Sequence, residues 1–229
     1  MAFMRGLLVA ATGLVTVASF SGAQTPVARG RGVEAPATRP PSMFKEDWKQ
    51  PPYTGTLNDE NRRATQDAVT NPRLELKMYG TDARNVGVYN HEARFDVWTG
   101  VVTSSVAIML RDKTNYADLT GLARLRAMVR TLGLHVIHPV VKLADGTYLA
   151  GSRSIDTEGE FLQTEVAFGG MRWHKLDPQK VVTGVEVKNP VLNRVDEIGW
   201  ADLMVGGGHG NAGWCNVSTI ELYAKGLPR

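Results

Sequence analysis

Cysteine is almost absent from this chain. Its 229 residues include one, Cys215, so no internal disulfide can form and stability has to come from a packed core. No C-x-x-C, H-x-H or H-E-x-x-H occurs, which removes the usual zinc patterns. No G-x-S-x-G marks a nucleophile elbow. Neither sign of charge dominates: 26 basic residues against 23 acidic leave a formal +3. The bases are scattered without a lysine or arginine run, so nothing points to nucleic acid as a partner. Long apolar runs are missing too. The longest, Gly6 to Phe20, falls short of the roughly 20 residues that cross a bilayer.

That one apolar run has the layout of a secretory signal. Arg5 precedes it, and Ser21-Gly22-Ala23 follows with small residues suited to cleavage after Ala23. No cysteine follows the run, so a lipoprotein anchor is not expected. The chain is expected to be secreted or periplasmic, with no membrane span after cleavage. The mature chain of about 200 residues is long enough for one sizeable domain. Residues 24–57 are expected to form a Pro/Gly-rich spacer followed by an irregular segment that packs Phe44, Trp48 and Tyr53 onto its neighbour. Within 58–229, the expected folded domain, one short helix is expected before Pro72.

From Leu74 onward the texture is that of strands. "LELKMYG" alternates apolar and polar residues, and "FDVWTG", "SSVAIMLRD", "EFLQTEVAF" and "VSTIELYAK" are of similar length. Asp145-Gly146 is a two-residue hairpin signal. In "DLTGLARLRAMVR" helical and strand spacings compete. The strand reading places Leu125, Ala127 and Val129 on one face and Arg124, Arg126, Met128 and Arg130 on the other. Short strands at this density indicate an antiparallel all-β sandwich or barrel.

The stretch "GGGHG" at 206–210 has glycines suited to a phosphate loop, but a strand-like segment follows it instead of a helix, and no Gly-Lys-[Ser/Thr] occurs. It reads as an inter-strand loop carrying His209 and leading to Trp214. Cys215 reads as a small buried thiol in preference to a nucleophile paired with His209. Sugar recognition asks for aromatic platforms with polar edges. Trp173, Trp214 and Tyr116, with Arg126, Arg130 and His209, are the candidates, and Trp173 beside His174 and Lys175 is expected to be exposed. Trp98 and Trp200 lie inside strand patterns and read as core. If the chain were an enzyme, His209 with Asp202 would be the expected pair.

The order of "DLTGLARLRAMVRTLG", "HVIHPVVKLADGTYL", "FGGMRWHKLDPQKV", "VDEIGWADLM" and "VSTIELYAK" over about 90–225 resembles the galactose-binding-like jelly-roll domains shared by many carbohydrate-binding modules. The chain also looks similar to a secreted bacterial group of unknown function near the 3-keto-disaccharide hydrolase-like domains, without that family's opening pattern. The jelly-roll resemblance implies an antiparallel β-sandwich of jelly-roll type and a glycan or polysaccharide partner. No cofactor is implied beyond a structural calcium, whose ligands in this chain would be Glu221 with Asp118 or Asp96. A glycan-active hydrolase or lyase, or a protein-interaction module, are the alternatives.

Overall fold

The computed structural model describes residues 38–91, 93–204 and 213–229. Among them fifteen strands follow one another: β1 (Ser42–Glu46), β2 (Leu74–Tyr79), β3 (Gly87–His91), β4 (Arg94–Trp98), β5 (Val106–Asp112), β6 (Asn115–Asp118), β7 (Arg124–Gly133), β8 (Ile137–Leu143), β9 (Tyr148–Gly151), β10 (Leu162–Ala167), β11 (Trp173–Asp177), β12 (Val182–Val187), β13 (Val195–Asp202), β14 (Gly213–Tyr223) and β15 (Lys225–Pro228). One sheet has the order β10-β7-β14-β4-β3, with β1 also on β14. The other has the order β12-β11-β9-β8-β13-β5-β2, with β6 on β13 and β15 on β6. Their inner faces share one core, to which Val88, Val97, Val129, Val217 and Leu222 come from the first sheet and Leu74, Ile108, Leu110, Ile198 and Trp200 from the second. The antiparallel β-sandwich is therefore the fold formed.

The ambiguous segment around 118–130 resolves as strand. Leu125, Ala127, Val129 and Thr131 are buried along β7, while Arg124, Arg126, Met128 and Arg130 are half-buried between them. A period of two survives because β7 has partners on both edges, β10 and β14. The hairpin at Asp145-Gly146 also forms, joining β8 to β9. Its loop has three residues, not two: Leu143 N donates to Thr147 O at 2.8 Å, and Gly146 takes a φ of +89°. A left-handed glycine in the third loop position is what such a loop requires.

Two expectations need correction. The folded unit starts before residue 58, because β1 pairs with β14 and buries Phe44. A five-residue strand that also buries a carboxylate, Glu46, shows no clean alternation in sequence. Instead of a helix, 58–72 holds a turn at 59–62 and a 3₁₀ turn at Gln66–Ala68. The Thr70 and Asn71 amides that would continue a helix donate instead to Glu46, at 2.7 and 3.0 Å. Among the described residues no helix is long and apolar enough to cross a membrane.

Candidate ligand-binding face

The outer face of the six-stranded sheet collects polar and aromatic side chains. Along β7 the alternation turns Arg130 outward. Asn216 on β14 lies opposite it, and Trp98 on β4 lies opposite Asn216. Tyr89 on β3 stands across from Asp96 on β4, and His91 across from Arg94.

Asp96 is completely buried at the floor of this face. Its carboxylate accepts from Asn216 Nδ2 at 2.6 Å and lies 2.6 Å from His91 Nδ1. Burial pushes the Asp96 carboxyl above the usual carboxylate range, and the bonds from Asn216 and His91 only partly oppose this. His91 is half-exposed, so the buried acid fixes the orientation of an imidazole that reaches the surface.

Next to this network lies a groove of about 260 Å³ lined by Arg94, Arg130, Gly159, Glu160 and Phe161. The Phe161 ring lies 6.2 Å from the His91 ring, and the Arg94 and Arg130 guanidinium groups lie 5.6 and 5.7 Å from its centroid. Aromatic side chains continue along the same face. Tyr89 meets Trp98 edge-on at 4.4 Å, and Trp98 meets Trp214 at 6.5 Å. Arg62 covers the Tyr89 ring at 4.4 Å.

Three residues expected from sequence belong here: Trp214, Arg126 and Arg130. Arg126 is held by Glu165 and Glu221 and stacks over Tyr223 at 4.9 Å. His209 lies outside the described residues. Trp173 is a correction. It is 1% exposed and stacks on Phe168 inside the core, while a register irregularity between His174 and Leu176 breaks the alternation of β11 and leaves Lys175 outside. It borders a cleft of about 430 Å³ between the 119–121, 168–173 and 186–192 segments. Phe168 and Trp173 are the aromatic walls of that cleft, and both are buried, so neither offers a ring face to a sugar. Tyr116 is also removed from the site. It lies on β6 in the other sheet, between Arg194 and Arg229 at 4.6 and 4.4 Å.

The expected calcium set does not converge. Asp96 holds His91 and Asn216. Asp118, in the second sheet, binds the amide and hydroxyl of Thr120. Glu221 accepts from the Tyr223 hydroxyl at 2.7 Å. A calcium shell needs six or more oxygens about one point, and these carboxylates do not fit one.

Among the described residues, one trio of His, Cys and acidic ligand atoms lies within 4.8 Å of one another: His135, Asp202 and Cys215. All three are buried. Asp202 Oδ2 lies 2.7 Å from His135 Nδ1 and accepts from Thr99 Oγ1 at 3.0 Å, while its Oδ1 takes the Met204 amide. Thr99 Oγ1 in turn accepts from the Cys215 amide at 3.0 Å. Asp202 is thus a buried acceptor that links β13, through Thr99, to β14, while its expected partner His209 lies outside the described residues. Burial pushes the Cys215 thiol well above its ordinary value, and the neighbouring Asp202 carboxylate adds to this. The native protein is therefore expected not to react with a thiol-specific disulfide reagent at pH 8, whereas one equivalent reacts after unfolding. Rapid native labelling would show that Cys215 is accessible.

Sequence reasoning missed Tyr89, His91, Arg94 and Phe161, and took Asp96 only as a metal ligand. The signal was present in "GVYNHEARFDVW", where Tyr89 and His91, then Arg94, Asp96 and Trp98, recur with a period of two on either side of a short turn.

No family model matches the chain, and no curated protein matches it. It is similar to carbohydrate-binding modules. A family 11 module from Clostridium thermocellum, solved with a β-1,3-1,4-mixed-linked tetrasaccharide, shares 12% identity over 68% of this chain and 86% of the module, at a TM-score of 0.38. The solution structure of CtCBM11 shares 12% over 84% of this chain and 99% of that one, at 0.37. An exo-β-agarase shares 11% over 69% of this chain, at 0.39, and there the match spans only 24% of the enzyme.

Proposed function

We propose that this chain is an exported carbohydrate-binding domain that holds its ligand on the outer face of the six-stranded sheet. The observation that supports this best is one surface carrying aromatic rings and planar hydrogen-bonding groups together. Pyranose rings present apolar CH faces and a rim of hydroxyls. Aromatic rings match the first, and guanidinium, amide and carboxylate groups match the second. Here Trp214, Tyr89 and Phe161 supply rings, while Arg94, Arg130, Glu160 and His91 supply edge groups. The buried Asp96–Asn216 pair holds the floor rigid, which lowers the entropy lost on binding. Export is part of the same reading and rests on Arg5, the apolar run and Ser21-Gly22-Ala23.

Titration of the protein with a panel of soluble oligosaccharides tests the proposal. At least one is expected to bind, and Trp214→Ala or Tyr89→Ala to weaken it about tenfold, a change of about 1.4 kcal/mol. Circular dichroism of each variant confirms its fold. Absence of binding across the panel, or binding indifferent to both substitutions, would remove the reading.

A further inference from the structure

The balance of charge on this face carries more than sugar recognition in general. Four arginines project from β7 and β4: Arg94, Arg124, Arg126 and Arg130. Two of them are neutralised within the protein. Arg124 and Arg126 both pair with Glu165, and Arg126 also reaches Glu221. The other two, Arg94 and Arg130, line the groove and form no ion pair with an acid among the described residues. The Nε of Arg130 is buried and has no hydrogen-bond partner there, and neither has Oδ1 of the fully buried Asn216 beside it. Asp96 lies near enough for its charge to interact with Arg130, but its hydrogen bonds go to His91 and Asn216. Glu160 is the acid in the groove lining. It is exposed and bonded to neither arginine.

A guanidinium offers a flat fork of donors that fits two oxygens of one anionic group. Two such groups around one ring are chemically suited to an oxyanion carried on a sugar. We infer that the glycan recognised here is acidic, bearing carboxylate or sulfate substituents that sit between Arg94 and Arg130 while the pyranose face lies against Phe161. This inference rests on the carbohydrate-binding reading and narrows its ligand class.

The test uses the full chain and three probes of matched length: an oligogalacturonate, a sulfated galactan oligosaccharide and a neutral galactan oligosaccharide. Dissociation constants are measured at low and high salt. At least one charged probe is expected to bind ten times or more tightly than the neutral one, and the stronger of the two distinguishes carboxylate from sulfate. Its affinity is expected to fall several-fold with salt, as interactions at partly exposed charges do. Arg94→Gln and Arg130→Gln are each expected to weaken the charged probe tenfold or more, and Arg130→Lys to weaken it less than Arg130→Gln. Unfolding midpoints verify that the variants fold, and Arg94 provides an independent substitution should Arg130→Gln not do so. If the neutral probe binds equally well and loses affinity in Trp214→Ala, the acidic ligand is refuted while the binding face stands. If no probe binds, the carbohydrate-binding reading falls with it.

Discussion

Glu46→Ala is expected to lower the unfolding free energy by about 3–5 kcal/mol, because each buried donor left without an acceptor costs about 1–3 kcal/mol. The Glu46 side chain is fully buried. Its Oε1 accepts from the Trp48 amide at 2.9 Å, the Thr70 amide at 2.7 Å and the Thr70 hydroxyl at 2.9 Å, and its Oε2 accepts from the Asn71 amide at 3.0 Å. Alanine removes all four acceptor contacts together and leaves the Trp48 amide buried without its acceptor. It also frees Trp48, whose φ of +57° is unusual for a bulky residue and is maintained by its surroundings. Glu46→Gln retains one acceptor oxygen and is expected to fall between alanine and the native protein. Urea unfolding at constant slope measures the difference. A loss below about 1 kcal/mol for alanine would mean that water replaces the carboxylate at little cost.

Trp200→Ala is expected to have an effect of the same order, about 3–5 kcal/mol, from lost apolar burial and the cavity left behind. Trp200 lies on β13, paired with β5 at Ile108 and with β8 at Pro139. It is 2% exposed, and Trp48 meets it edge-on at 6.2 Å. The two rings join the segment after β1 to the centre of the second sheet, so their substitutions are expected not to add. Losing either ring strips the other of its contact, and Trp48→Ala with Trp200→Ala should cost less than the sum of the two. Strict additivity in a double-mutant cycle would show that the rings pack independently.

These buried residues mark where the fold could be read from sequence and where it could not. β7 was legible because it buries one face and leaves the other partly exposed, so Leu125, Ala127 and Val129 alternate with Arg124, Arg126, Met128 and Arg130. The β8–β9 hairpin was legible through Gly146. β1 was not, since a buried Glu46 breaks the apolar pattern for a reason that lies twenty-four residues away at Thr70. The candidate site was half legible. Arg126, Arg130 and Trp214 were identified from residue type, but Trp173 has the same type and points inward. Which tryptophan faces outward depends on strand register, and a shift of one residue exchanges the two faces. Phe161 joins the groove only because β10 pairs with β7 and brings the preceding loop beside Arg130. That relation is tertiary and leaves no local trace.

β14 hydrogen-bonds to β1, β4 and β7, three strands synthesised well before it. Its ladder with β1 joins Ser42 to Tyr223, so closing the first sheet means bringing together segments separated by most of the chain. Contacts of such long range slow folding, because the entropy of closing the loop is lost before any pairing compensates for it. Until residues 213–223 have been made, those three strands lack the neighbour that joins them. A polypeptide with this order of pairing completes its first sheet only once β14 is available, because until then β7 with β10 and β3 with β4 are separate pairs.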